Sequence, residues 1–180
     1  MNFKIRKATI GDQSEIENLI TESVKGLSKD DYSTRQIELS IKSVFGVDND
    51  LIRDETYFVA KSSNGEIVGC GGWSKRKTLY GASRYESSRD SNELDPQRDA
   101  AKIRAFFIHP DWARKGIGTV ILEACEREAE SLGFKTAEMM STLPGVKLYS
   151  VRGYAGTERV GISSGEDQEI ECVRMSKTLK

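Results

Sequence analysis

Residues 101–132 read AKIRAFFIHP DWARKGIGTV ILEACEREAE SL and contain an apolar run, two closely spaced glycines and an amphipathic segment. The run Ile103–Ile108 is too continuously apolar for a strand with one face in water, so we predict a strand buried on both faces. Pro110 ends this strand because it has no N–H group to donate. From Gly116 to Leu132, apolar residues recur at the spacing of a helix. The start of that helix should present unpaired backbone N–H groups, which bind anions.

The composition is that of a soluble globular protein with a single domain, residues 1–180. Twenty-seven Lys and Arg against 28 Asp and Glu give a formal net charge of −1, which gives no support for a nucleic-acid partner. No apolar run has the length of a membrane span, so no membrane association is expected. Cys70, Cys125 and Cys172 are widely spaced, which favours reduced thiols and a cytoplasmic location. The single histidine, His109, cannot build a histidine-rich metal site, and no metal is expected.

Patterns on both sides of the central unit predict the remaining elements. The predicted elements are a strand at 2–7, a helix capped by Thr9-x-x-Asp12 and ended by Gly26, a helix from Ser33 to Gly46, strands at 57–60 and 67–73 around an Asn64-Gly65 turn, a strand at 136–140, a short helix ended by Gly153, and a hairpin from 157–162 to 169–176. This order predicts an α/β protein with a mixed sheet and helices on both faces.

The segment 74–100 is the least regular part of the chain, rich in charges and serines. A stretch of this length without secondary structure is either functional or disordered. We expect a mobile surface loop, with a lid over the substrate as the alternative.

The spacing of the glycines excludes two common phosphate-binding motifs. A dinucleotide-binding fingerprint needs a small residue three positions after its second glycine, where this chain has Ile121, and it begins directly at the end of a strand. A Walker A loop needs Gly-Lys-Ser/Thr, whereas Lys115 precedes Gly116 here.

The sequence HPDWARKGIGT, from His109 to Thr119, closely resembles the pyrophosphate loop of the GNAT superfamily of N-acetyltransferases. The resemblance covers most of the chain. Its further matching segments are the opening strand with Thr9 and Asp12, Ile67-Val68-Gly69, and Leu148-Tyr149-x-x-x-Gly153-Tyr154. It implies a GNAT-like fold with a central, mixed, mostly antiparallel sheet of six to seven strands, and the use of acetyl-CoA as acetyl donor.

The resemblance also implies which residues bind the cofactor. In the family, loop N–H groups hold the pyrophosphate, and the central strand splays from its neighbour to leave backbone groups for the pantetheine. Carried over to this chain, the cofactor-binding residues are Phe107, Ile108, Arg114, Lys115, Gly116, Ile117, Gly118, Thr119 and Thr142. Two positions depart from the family pattern: Ala113 replaces a usual Gln or Arg, and Thr142 replaces a usual Asn. Both departures affect side-chain contacts, whereas the main contacts come from the backbone.

Tyr149 stands where many family members have a tyrosine that protonates the departing thiolate, although packing on a short helix is the alternative. A tyrosine with a pKa near ~10 is protonated at neutral pH and can donate. No general base is evident, so a water relay or an amine that arrives neutral would have to serve.

Candidates for the acceptor pocket are Tyr32, Trp73, Arg104 and Phe106. Trp73 ends a strand and would otherwise be a large exposed aromatic, while core packing is the alternative for Phe106.

These expectations describe an acetyl-CoA-dependent N-acetyltransferase acting on a primary amine of a small molecule. A peptide or protein acceptor is the alternative within this class. A non-catalytic acyl-CoA-binding module that regulates a partner is the alternative from another class. The terminal hairpin also leaves a homodimer possible, through edge pairing.

Overall fold

The computed structural model describes residues 2–82 and 90–180. Within them, seven strands form one sheet in the order β1-β2-β3-β4-β5-β7-β6. In chain order the elements are β1 (Phe3–Lys7), α1 (Gln13–Leu27), α2 (Thr34–Ser43), α3 (Asn49–Arg53), β2 (Tyr57–Ser62), β3 (Ile67–Ser74), β4 (Ala101–Ile108), α4 (Ile117–Ser131), β5 (Thr136–Thr142), α5 (Val146–Val151), β6 (Ala155–Gly165) and β7 (Gln168–Thr178). Short 3₁₀ turns precede α1, α4 and α5, at Ile10–Asp12, Pro110–Trp112 and Leu143–Gly145.

The strands pair antiparallel except for β4 and β5, which are parallel. The mixed, mostly antiparallel sheet of six to seven strands is therefore confirmed. The two parallel strands share only two residue pairs, Ala101 with Ala137 and Lys102 with Glu138. Beyond the second pair the strands separate, as the family resemblance implied, and the sheet opens in its middle.

A buried ion pair, joined by one half-exposed arginine, marks the point where β4 and β5 part. The Glu138 carboxylate accepts hydrogen bonds from Lys102 Nζ and, at 2.7 Å, from an Arg174 Nη of β7. Burial raises the pKa of Glu138, but the two cations outweigh it and the pKa lies below its usual range. A buried carboxylate is tolerated only when it is paired in this way.

The sheet divides the apolar core into two layers, so the prediction of helices on both faces is also confirmed. Ile121 and Leu122 of α4 are fully buried on one face. Ile16 of α1 and Leu51 of α3 are fully buried on the other. None of the helices in the described part of the chain is both long and apolar enough to cross a membrane.

Several predicted boundaries are wrong for local reasons. Gly26 does not end α1, which continues to Leu27. A Cβ atom at Gly26 would lie 2.3 Å from Pro110 Cγ, so this glycine allows α1 to pack closely against the segment after β4. The second helix ends at Ser43 rather than Gly46, and the short helix α3 was not predicted. Its N-cap, Asp48, accepts a hydrogen bond from the Asp50 N–H.

The flanks of the segment 74–100 are more ordered than the sequence indicated. The Lys77 N–H donates to the Asn92 carbonyl at 2.9 Å, and the Thr78 N–H donates to the Asp90 carbonyl at 3.0 Å. Residues 83–89, at the centre of this segment, lie outside the described residues, so mobility there stays a prediction.

The predicted Thr9-x-x-Asp12 cap is present as a capping box before α1. Arg6 donates two hydrogen bonds of 2.7 Å to the Asp12 carboxylate, which also accepts the Thr9 N–H at 2.8 Å. The hydrogen bonds from Arg6, and next those from Thr9, hold the pKa of Asp12 well below its usual range. The opening strand and the first helix are thus joined through one ionised carboxylate.

Replacement of Asp12 by Asn should lower the free energy of unfolding by about 1 kcal/mol at pH 7. Because the folded-state pKa lies below the unfolded value near ~3.9, the contribution is present above pH ~4 and is lost as pH falls further. Urea unfolding of the parent and Asp12→Asn at a series of pH values tests this. Asp167→Asn, in the exposed β6–β7 turn, is the charge-matched control. A stability difference that does not shrink in acid would contradict the assignment.

Candidate active site

The gap between β4 and β5 widens into a cleft of about 750 Å³. The second half of β4, the start of α4, the end of β5 and α5 contribute to its walls, together with parts of α1 and the described residues 79–82. Because β5 has left the side of β4, residues 105–108 are partly exposed. The prediction that Ile103–Ile108 is buried on both faces is therefore wrong for its second half.

β4 contains a β-bulge that faces the cleft. Cys70 pairs with Phe107 and Gly72 with Arg104, so two residues of β4 lie opposite the single residue Gly71. One of the two, Ala105, has φ = 55°, a left-handed conformation that is rare for a residue with a side chain. A Cβ atom at Gly71 would lie 2.8 Å from the ring of Phe106, so this glycine is required by close approach.

The edge of β4 offers a backbone donor to the cleft. The His109 N–H donates to the Val68 carbonyl of β3, whereas the Ile108 N–H donates to Ser23 Oγ at 3.1 Å. Ser23 lies on α1 and lines the cleft. The Phe107 N–H faces Cys70 instead. Of the two residues expected to offer backbone groups, only Ile108 directs its N–H group toward a residue that lines the cleft.

The start of α4 offers three more donors. Gly116, the N-cap residue, has φ = 87°, and Arg114 has φ = 61°. The first helical hydrogen bond runs from the Val120 N–H to the Gly116 carbonyl. The N–H groups of residues 117–119 precede it and have no partner within the helix. Consecutive N–H groups in such a turn form a concave anion site.

The side chains near this turn differ in whether they line the cleft. Arg114 lines the cleft. Lys115 is not among the described residues that line it, and its ammonium group donates to the Asp111 carbonyl and lies 5.5 Å from the Trp112 ring centroid. Gly118 lines the cleft, but a Cβ atom there would lie 2.8 Å from Leu148 Cδ2. Gly118 therefore allows α5 to approach α4.

Tyr149 lies across the cleft from β4. Its ring makes edge contacts with Phe106 at 6.1 Å and with Tyr154 at 6.0 Å between centroids. The residue is 7% exposed, and burial raises the pKa of its hydroxyl above the ordinary value. Tyr149 therefore stays protonated across the neutral range. Thr142, at the end of β5, lines the same cleft.

Two of the four residues proposed for the acceptor pocket lie elsewhere. Trp73 is 1% exposed, and its indole N–H donates to Glu128 at 3.0 Å in the core on the α4 face. Trp73 does not end its strand, because β3 continues to Ser74, and its ring is buried against α4 and does not line the cleft. The Tyr32 hydroxyl donates to the Glu171 carbonyl at 2.6 Å and accepts the Leu143 N–H at 2.9 Å. It joins the α1–α2 connection to β7, and it is not among the described lining residues.

The other two, Arg104 and Phe106, do line the cleft. Arg104 forms a buried ion pair with Asp48, with 2.5 Å between nitrogen and oxygen, and donates to the Gly81 carbonyl at 2.9 Å. The Ala82 N–H donates to the Val44 carbonyl. These bonds fix residues 79–82 over one end of the cleft.

Several other residues that line the cleft were not identified from the sequence. They come from helix ends and connections that have no motif of their own. They are Leu27, Asp30, Asp31, Val44, Phe45, Leu79 and Tyr80. A partial signal existed in Phe45, which follows an amphipathic helix and makes an edge contact with Phe107 at 5.6 Å.

Comparison with known proteins identifies relatives. The sequence profile described as the Acetyltransferase (GNAT) family matches residues 19–154. A GCN5-related N-acetyltransferase from Rhodopseudomonas palustris has a similar structure, with a TM-score of 0.71 at 19% identity, over 99% of this chain and 97% of that one. PaiA N-acetyltransferase from Thermoplasma acidophilum, solved with coenzyme A, has a TM-score of 0.65 at 16% identity over 99% of both chains. No curated protein matches the sequence.

The three cysteines should react slowly with thiol reagents in the folded protein. All are buried, and burial raises the pKa of Cys70 and of Cys172 to about 12 and that of Cys125 well above its usual value. At pH 8 the thiolate fraction of Cys70 and Cys172 should be roughly a thousandfold below that of an ordinary thiol. Labelling with Ellman's reagent should therefore follow protein opening, and it should be complete within seconds in guanidinium chloride. Rapid labelling of the native protein would show that a thiol is accessible.

Proposed function

Because this chain belongs to the GNAT family of acetyltransferases, we propose that it transfers an acetyl group from acetyl-CoA to the primary amine of a small molecule. The observation that carries the proposal is the meeting of three features in one cleft. These are the edge of β4 that β5 leaves, the N-terminus of α4 and the hydroxyl-bearing ring of Tyr149. An anion site, a backbone donor and a proton donor are what acyl transfer from a CoA thioester requires.

The cofactor end of the cleft fits a pyrophosphate. Three N–H groups at the start of α4 point out of the helix, and anions are stabilised at such an end. Arg114 lines the cleft beside them and would add a charge-assisted contact. Lys115 would contribute less, since it bonds within its own loop. The Ile108 N–H, which donates to Ser23 in this structure, would be offered to the pantetheine or the acyl carbonyl.

The reaction needs one net proton movement. A neutral amine attacks the thioester carbonyl carbon, a C–N bond forms, and the C–S bond breaks as the thiolate leaves. Tyr149 would donate to the sulfur. The pKa of an ordinary thiol, near ~8.5, lies below that of a buried tyrosine, so a proton given by Tyr149 to the thiolate would tend to return. The thiol therefore keeps its proton only if the proton lost by the amine passes to the phenolate of Tyr149. Tyr149 thus stabilises the developing negative charge and relays a proton to it.

The acceptor end of the cleft favours an amine with an apolar body. Phe45, Leu79 and Tyr80 line the cleft, and Asp30 and Asp31 contribute two exposed carboxylates to its lining. The positive charge of Arg104 is balanced by Asp48, in a pair that is almost fully buried. These carboxylates would favour a cationic amine over a molecule that carries a carboxylate, and such an amine must release its extra proton to solvent before it attacks as the neutral form.

Thiol release from acetyl-CoA in the presence of an amine panel tests the proposed function. Alkyl and aryl amines without a carboxylate should be faster than amino acids and than peptides with a free N-terminus. A faster peptide would move the assignment to a peptide acetyltransferase. Tight binding of CoA in a calorimeter with no thiol release for any acceptor would contradict catalysis and support the acyl-CoA-binding module.

Replacement of Tyr149 by Phe tests the proton donor. The change removes one oxygen and keeps the ring contacts with Phe106 and Tyr154, so CoA affinity should change little. Turnover should fall ~10²–10⁴-fold, because a positioned acid contributes about that factor. The loss should appear in kcat more than in KM, since the contact forms mainly in the transition state. Near-parental turnover with the best amine would show that Tyr149 only packs.

A further inference from the structure

The bulge in β4 displaces backbone groups from their pairing with β3, and the buried side chains of Tyr57 and Cys70 contact these groups. The Tyr57 hydroxyl lies 3.3 Å from the Ala105 carbonyl oxygen and 3.2 Å from Cys70 Sγ. Cys70 Sγ lies 3.8 Å from the same carbonyl oxygen and accepts the Phe107 N–H. Both backbone groups lie where β4 loses its register with β3. The hydroxyl and the thiol therefore replace part of the ladder that the bulge interrupts.

The position of Tyr57 depends on a glycine in β3. Tyr57 belongs to β2 and pairs with Gly72. A Cβ atom at Gly72 would lie 3.0 Å from Tyr57 Cδ2, so the missing side chain lets the tyrosine ring pass across β3 to reach β4. Tyr57 and Cys70 are both 0% exposed, and burial raises both pKa values, so both groups keep their protons and can donate.

The bulge needs such support because Ala105 is in a left-handed conformation. Residues with a Cβ atom adopt this conformation at an energetic cost and keep it only where surrounding contacts require it. If the contacts to the Ala105 carbonyl were lost, β4 could relax toward regular pairing with β3. The Ile108 N–H would then turn away from the position in which it donates to Ser23 Oγ at the cleft.

We propose that Tyr57 and Cys70 are positioning residues that hold the bulge at Ala105 and thereby aim the Phe106–Ile108 backbone at the thioester. The proposal rests on the proposed acetyl transfer, since that reaction gives the backbone segment its role. Neither residue is among the described residues that line the cleft. Both act through the backbone, not through contact with a substrate.

Replacement of Tyr57 by Phe removes the hydroxyl and keeps the ring. We expect kcat to fall about ten- to a hundredfold, the range typical of a small misplacement at a reacting centre. The dissociation constant for CoA should change less than about threefold, because the pyrophosphate turn is untouched. Ile16→Val, a mild change in the same core layer, is the control for lost stability and should keep the parental kcat. Equal kcat values in Tyr57→Phe and Ile16→Val would overturn the proposal.

Cys70 offers a test by conservative rescue. Cys70→Ser keeps a donor and an acceptor, whereas Cys70→Ala keeps neither, so the serine variant should retain several times more of the parental kcat. Ile16→Val, which removes a buried methyl group in the same core layer, controls for the loss of packing. Equal losses of kcat in the serine and alanine variants would show that Cys70 only fills space.

Amide hydrogen exchange tests, independently of turnover, whether Tyr57 holds the bulge at Ala105. In Tyr57→Phe, exchange at residues 105–108 should accelerate about tenfold or more relative to the rest of β4, while Ile16→Val should show no such local effect. Unaltered exchange at residues 105–108 in Tyr57→Phe would overturn the proposal that Tyr57 holds the bulge. A parent protein that binds no CoA and releases no thiol would overturn the proposed function instead, and the exchange result would still decide whether Tyr57 holds the bulge.

Discussion

The incomplete pairing between β4 and β5 is the constraint on which the rest of the structure depends. Two adjacent strands that stop sharing hydrogen bonds leave backbone groups that need other partners. The separation begins directly after the pair Lys102–Glu138, whose side chains form an ion pair joined by Arg174. This cluster fixes the closed end of the gap. Every feature of the candidate site lies along the open part.

Three features of the backbone converge there for separate local reasons. The strand β5 leaves the side of β4, where the Ile108 N–H donates to a side chain instead, the bulge at Ala105 interrupts the pairing of β4 with β3, and Gly116 starts a helix whose first N–H groups face outward. Backbone donors of this kind are held by the fold and need little reorganisation when charge develops on a ligand. This explains how the cleft could tolerate Ala113 and Thr142, where the family usually has longer or more polar side chains. In the proposed site, side chains would supplement donors that the main chain provides.

The sequence predicted those parts of the structure that follow from local pattern. The strand–glycine–helix unit, the turn at Asn64-Gly65 and the capping box at Asp12 each depend on residues close together in the chain. Trp73 could not be placed in this way, since its burial depends on α4, more than forty residues away. The same limit applies to Asp48, which meets Arg104 only in the folded chain. The sequence also could not show that the ring of Tyr57 passes Gly72 to reach β4.

The most direct test of the central claim is to titrate the ¹⁵N-labelled protein with CoA and follow assigned amide resonances. If the gap between β4 and β5 is the cofactor site, the amides of Ile108 and of residues 117–119 should shift most. Amides of β1 and of the β6–β7 turn should stay in place. Absence of shifts at saturating CoA, or shifts confined to another surface, would contradict the assignment of this cleft.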